Sequence, residues 1–149
     1  MGKQKMLTAL DDARKSHKLQ MRTISLMVKG RAVDAKLEVD KHKCEFGKWL
    51  YNEDSRLKHI LGSQFYTKLD EEHTRWHSEC HKISEILSVK EEKGLISKLL
   101  NSNKEELMKR EKASIYHEQL KIKTEELLKV LTSSQRRLEA IHDDKFLID

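Results

Sequence analysis

The 149-residue chain contains no proline and only five glycines. Proline breaks helices and marks turns and strand edges, so its absence favours long uninterrupted helices. Aromatic residues make up 5% of the chain. A nucleic-acid groove segregates its basic residues and sets aromatics among them. Here the signs are interleaved instead, as in Glu125 and Glu126 beside Lys121, Lys123 and Lys129, so the net charge of +5 does not read as such a groove. No apolar run approaches the roughly 20 residues of a membrane-spanning helix. The first six residues, Met1 to Met6, lack the apolar core of a signal peptide, and Met6 stands where an N-myristoylation pattern needs Ser or Thr. Two cysteines, Cys44 and Cys80, do not make a disulfide framework. The expected compartment is the cytoplasm.

What is present is charge and helical periodicity. Charged residues are 37% of the chain, against about 25% in an average protein, which suits the solvated faces of long helices. Leu10, Ala13, His17, Met21, Ile24 and Val28 recur at three- or four-residue intervals and predict a helix over 7–28, with Gly30 as its stop. Residues 30–43 are polar and weakly patterned and read as a connection. A short helix over 44–51 follows, interrupted at 52–55 and continuing through Leu57 and Ile60 to a turn at Gly62-Ser63. Phe65, Leu69, His73, Trp76, Cys80, Ile83 and Leu87 mark the apolar face of a helix over 64–89, with His81 on its polar side. The stretch 90–93 is charged, and Gly94 precedes a short apolar piece over 95–100. Asn101-Ser102-Asn103 reads as a loop and N-cap before a long last helix over 104–141, with a polar gap at Lys123-Thr124. The expected fold is all-α: one domain over 1–149, an antiparallel four-helix bundle with an additional short helix.

The chemistry concentrates in two places. Cys44-Glu45-Phe46-Gly47-Lys48-Trp49-Leu50 carries a thiol at the start of the short helix, and His73-Thr74-Arg75-Trp76-His77 carries two imidazoles one helical turn apart. Thiolate and neutral imidazole are donors that Zn²⁺ prefers, and His at i and i+4 projects from one helix face. His17, inside the apolar stripe of the first helix, can supply a fourth donor; Cys80, one turn past His77, is the competing candidate. Carboxylates such as Glu72 or Glu45 are expected to hold the imidazole N–H groups. Phe46 and Trp49 read as packing anchors, and Gly47 as a point of close helix approach. Two other classes fit the same composition: a di-iron bundle, which needs aligned carboxylates that the sequence supplies only in part, and a metal-free helical adaptor in which the histidines are incidental. An enzyme is not expected, since four protein ligands leave no open metal position and no Ser-His-Asp order or phosphate-binding Gly loop is evident.

The Cys44 to Leu50 motif, together with His73-x-x-x-His77 and an upstream His17, resembles the signature of the chemoreceptor zinc-binding domain family. Gln20 departs from the tryptophan that the family often carries three residues after its first histidine. The resemblance implies Zn²⁺ held by His17, Cys44, His73 and His77. It also implies a cytoplasmic sensory module, commonly a homodimer, that is attached to chemotaxis or cyclic-di-GMP signalling domains and responds to zinc or to oxidation of the thiolate.

Overall fold

The computed structural model describes residues 2–31, 37–88 and 95–147, with the side chains of 95–103 left aside. Among them lie five α-helices and no strand: α1 (Lys3–Val28), α2 (Glu45–Leu50), α3 (Leu57–Leu61), α4 (Ser63–Ser88) and α5 (Leu95–Ala140). The all-α bundle is the one expected from the periodicity, with α2 as the additional short helix.

The helix ends follow local chemistry. At the end of α1, Gly30 adopts φ 78, its N–H donates to the Met27 carbonyl, and the Arg31 N–H donates to the Leu26 carbonyl. That pair of bonds is a Schellman motif, and it satisfies two carbonyls the helix leaves open. At 52–55 the chain forms a 3₁₀ turn, Glu53–Ser55, capped by the Asn52 side chain accepting from the Asp54 N–H. Gly62, at φ 96, lets the chain turn from α3 into α4.

One boundary differs from the sequence reading. The expected loop at 101–103 is helical, and the pieces over 95–100 and 104–141 are one helix of 46 residues. Asn and Ser compete with the helix backbone weakly, at a few tenths of a kcal/mol each, and nothing here has the force of a proline to stop the helix. The charged stretch 90–93, Gly94, the end of the predicted helix at Val89 and residues 32–36 of the first connection lie outside the described residues.

Contacts fix the directions. Lys3 Nζ donates to the carbonyls of Glu139 and Ile141, and Ser25 Oγ meets His117 Nε2 at 2.7 Å, so α1 and α5 are antiparallel. Arg137 Nε donates to the Leu61 carbonyl, while Lys82 lies over the Tyr116 ring, so α4 and α5 are antiparallel as well. The long members are thus α1 and α4, both set against α5, and the short α2 and α3 fill the remaining place in the bundle. The core runs through Met6, Leu10 and Ile24 of α1, Leu69, Trp76 and Ile83 of α4, and Leu120, Leu127 and Leu131 of α5, all fully buried. At about 25 cal/mol per Å² of apolar area, each such side chain contributes on the order of 1.5–3 kcal/mol, and together they hold the helices in register.

Candidate metal centre

Halfway along the bundle the core changes character. His17 of α1 and His73 of α4 have no exposed surface, and His77 has 3%. Their rings stand edge to face, with centroids 4.5 Å apart for His73 and His77, 5.3 Å for His17 and His73, and 5.7 Å for His17 and His77. The buried Cys44 closes the group, its Sγ 3.3 Å from His73 Nε2. One ligand atom from each of these four residues lies within 4.8 Å of all the others.

Local structure places each donor. Cys44 is the N-cap of α2, and its Sγ accepts a hydrogen bond from the Gly47 N–H at 3.2 Å. Gly47 is required because a Cβ there would collide with the Lys41 carbonyl, which packs against the first turn of α2. The close approach read from the sequence is therefore real, but it is to the preceding loop rather than to another helix. Phe46 is buried and stands edge-on to His73 at 4.9 Å, as a packing anchor should, whereas Trp49 is only partly buried. His73 and His77 share one face of α4, one turn apart. Trp76, between them in sequence, packs edge-on to His17 at 4.7 Å and to His77 at 4.9 Å.

Hydrogen bonds fix which nitrogen each ring offers. His17 Nδ1 lies 2.7 Å from the Ala13 carbonyl, and His77 Nδ1 lies 3.1 Å from the Val39 carbonyl. A carbonyl only accepts, so both Nδ1 atoms carry the proton and both Nε2 atoms present a lone pair. Neither Nε2 has a hydrogen-bond partner. The Tyr51 hydroxyl donates to Asp70 Oδ1 at 2.8 Å, which leaves its oxygen to accept from His73 Nδ1 at 3.2 Å. The third Nε2 is then also a lone pair, facing Cys44.

The outer partners differ from those expected. Glu72 is buried, but its Oε1 pairs with Arg75 at 2.9 Å and lies 3.6 Å from Lys68; Glu45 is exposed and pairs with Lys48. Neither is recorded holding an imidazole. Two backbone carbonyls and the Tyr51–Asp70 pair do that work instead. Sequence reasoning missed all of these, and of the three groups that meet a ring nitrogen only the phenol of Tyr51, one helical turn past Gly47, is a side chain.

Burial also sets the protonation states. It holds His17 below its ordinary value, His77 down to about 4, and His73 down to about 2, where neighbouring His77 and His17 add repulsion. All three imidazoles are neutral at physiological pH, as metal ligation requires. Burial pushes the Cys44 thiol up, against the pull of the Gly47 and Phe46 N–H groups. The competing candidate Cys80 is buried outside the group, its thiol pushed up to about 12 chiefly by burial.

The donor set suits Zn²⁺. Tetrahedral bonds of about 2.0–2.3 Å put donors roughly 3.3–3.8 Å apart, so the widest-set donors, within 4.8 Å, need to close by at most about 1.5 Å. Two buried lone pairs with no protein partner are hard to explain as a packing solution, since each unmet buried acceptor costs about 1–3 kcal/mol. Among the described residues this is the group of His, Cys, Asp and Glu side chains close enough to hold an ion, and it contains no carboxylate, which a di-iron bundle would need.

A closed group of three imidazoles and one thiol inside an all-α bundle defines a class, a helical domain able to hold one metal ion. Residues 17–84 match the chemoreceptor zinc-binding domain family. The matched segment is just under half of the chain; it begins at His17 and encloses Cys44, His73 and His77. No curated protein and no solved structure matches the chain. The family match and the buried cluster together fit a zinc-binding signalling domain. No helix among the described residues is long and apolar enough to cross a membrane.

Proposed function

We propose that this chain is a sensory domain of bacterial signal transduction, of the chemotaxis or cyclic-di-GMP type, in which Nε2 of His17, His73 and His77 and Sγ of Cys44 hold one Zn²⁺. The observation that carries the reading is the pair of buried, partnerless Nε2 atoms of His17 and His77 beside the Cys44–His73 contact. When bound, zinc supplies the charge that keeps the Cys44 sulfur a thiolate and cross-links α1, α2 and α4.

The chain's own residues supply the rest. Ala13, Val39 and Tyr51 orient the rings, and Phe46 and Trp76 keep water from their edges. Because Cys44 caps α2, oxidation or release of its sulfur would loosen that cap and leave the His17 and His77 lone pairs unmet. A rearrangement around Trp76 would reach α5 directly, since the indole N–H donates to Thr124 Oγ1 at 2.9 Å and Thr124 in turn donates to the Leu120 carbonyl. The helix α5, 46 residues against 26 for α1 and α4, is the natural output element. Four protein ligands leave no open position for hydrolysis, so the domain reports rather than catalyses. We read it as cytoplasmic and homodimeric, with exposed Leu107, Met108 and Ile115 offering apolar surface for pairing.

Elemental analysis of the purified chain tests the reading. We expect about one zinc and no iron per chain, falling towards zero in Cys44→Ala, with His17→Ala and His73→Ala intermediate or worse. Undiminished zinc in Cys44→Ala removes Cys44 from the site. A wild-type chain free of zinc under metal-replete conditions overturns the assignment.

A further inference from the structure

We infer that the open cavity between the end of α2, α3 and the start of α4 is a binding site for a small organic phosphate, separate from the four ligating side chains although Tyr51 borders both. The cavity has a volume of about 760 Å³, which is nucleotide-sized. Two cationic side chains, Arg56 and Lys58, line it, together with His59, the phenols of Tyr51 and Tyr66, and one acid, Glu53.

Three observations converge on an anion. The first is Arg56 itself. It is the non-glycine residue with positive φ among the described residues, at φ 57 and ψ 15. A left-handed conformation costs an ordinary residue about 1 kcal/mol or more, and glycine or asparagine meets it at less cost. Neither residue is found here, so the turn holds Arg56 at a backbone cost that glycine would avoid.

The second is the guanidinium. Arg56 is half-buried through its stem, and among the described residues its guanidinium makes no ion pair or hydrogen bond and stays open to solvent; Glu53, on the same wall, does not pair with it or with Lys58. A free planar fork of donors at the cavity wall matches phosphate oxygens in a bidentate way.

The third is the aromatic wall. Lys58 Nζ lies 5.9 Å over the Tyr66 ring, and the Tyr66 hydroxyl donates to the Leu50 carbonyl, which fixes that ring at the cavity edge. A fixed ring beside two cations suits a ligand with a planar base at one end and a phosphate monoester at the other. The phosphate dianion is the shared chemistry. A free phosphate would use Arg56 and Lys58 alone, and a nucleotide would also use Tyr66.

Calorimetric titration of the zinc-loaded full chain with AMP, inorganic phosphate and adenosine tests this. We expect AMP to bind, adenosine not to bind measurably, and Arg56→Gly to weaken AMP at least about tenfold, the loss of a charged hydrogen-bonded contact. Glycine suits φ 57, so this variant keeps the turn, and an unchanged zinc content and melting temperature would show that it does. Lys58→Gln should weaken AMP less. Equal affinity for inorganic phosphate and AMP would support the anion site while making free phosphate its ligand. No binding of AMP or phosphate at millimolar concentration overturns the proposal, as does AMP affinity undiminished in Arg56→Gly. None of these outcomes touches the zinc stoichiometry, so the two readings stand or fall separately.

Discussion

Buried histidines occur in two regions of this bundle, and they are built differently. Between α1 and α5, His117 is 7% exposed and its Nε2 sits 2.7 Å from Ser25 Oγ. That ring is a core residue whose polar atom is met by the protein. Between α1, α2 and α4, the rings of His17 and His77 are met on Nδ1 only, and their Nε2 atoms converge with His73 and Cys44 on a common centre. Burial alone therefore says little about ligation, since all four rings are buried and all four are held below their ordinary pKa chiefly by burial. What separates them is where the lone pair goes.

The largest test of that difference is metal removal. A ligand present at 1,000 times its dissociation constant stabilises the fold by about 4 kcal/mol, so chelation should lower the melting temperature by many degrees. The chelated protein should then respond to pH in a definite direction. His73 and His77 titrate near 2 and 4 in the fold, against 6.5 for the free side chain. Below about pH 6.5 the unfolded chain binds protons that the fold refuses, so stability is complete above that pH and falls as pH drops towards about 4. Urea midpoints of the chelated protein at several pH values check this. A midpoint that is flat, or that rises on acidification, would mean that the three rings are not buried neutral.

Much of this site could be read from the chain because donors are side chains with a period. His73 and His77 fall one turn apart on an apolar helix face, and His17 and Cys44 each stand beside apolar residues that bury them. The parts that orient the donors were not legible for a physical reason. Ala13 and Val39 act through backbone carbonyls, which every residue has, and Val39 lies in a connection with no helical pattern. Thr124 fell in an apparent polar gap of α5, yet it is 7% exposed and accepts the Trp76 indole N–H. A hydroxyl that is satisfied by a distant indole looks, in one dimension, like an exposed one. The continuity of α5 through 101–103 was missed likewise, because Asn and Ser favour caps without forbidding helix.

Tyr51 sharpens the comparison at intermediate magnitude. Of the three ring-orienting partners it is the side chain, so it can be removed without touching the backbone. Tyr51→Phe keeps the ring that packs on His42 at 4.6 Å but deletes the acceptor of the His73 Nδ1 proton. Loss of such a partner typically costs 10- to 100-fold in metal affinity. Competition with a chelating dye should show that loss, with one zinc still bound at saturation. Unchanged affinity would mean that His73 is oriented by packing alone.

The smallest effect belongs to the other region and is the control on the whole contrast. His117→Leu replaces a satisfied core imidazole with an apolar side chain of similar reach. Ser25 is half-buried, so its hydroxyl can turn to water once the ring is gone. The net value of one such hydrogen bond is about 1 kcal/mol, and the leucine restores part of it through apolar burial. Melting should therefore shift by a few degrees at most, and zinc content should stay at about one per chain. If His117→Leu lost zinc as Cys44→Ala is expected to, the partnerless lone pairs of His17 and His77 would not be what distinguishes a ligand from a core histidine in this bundle.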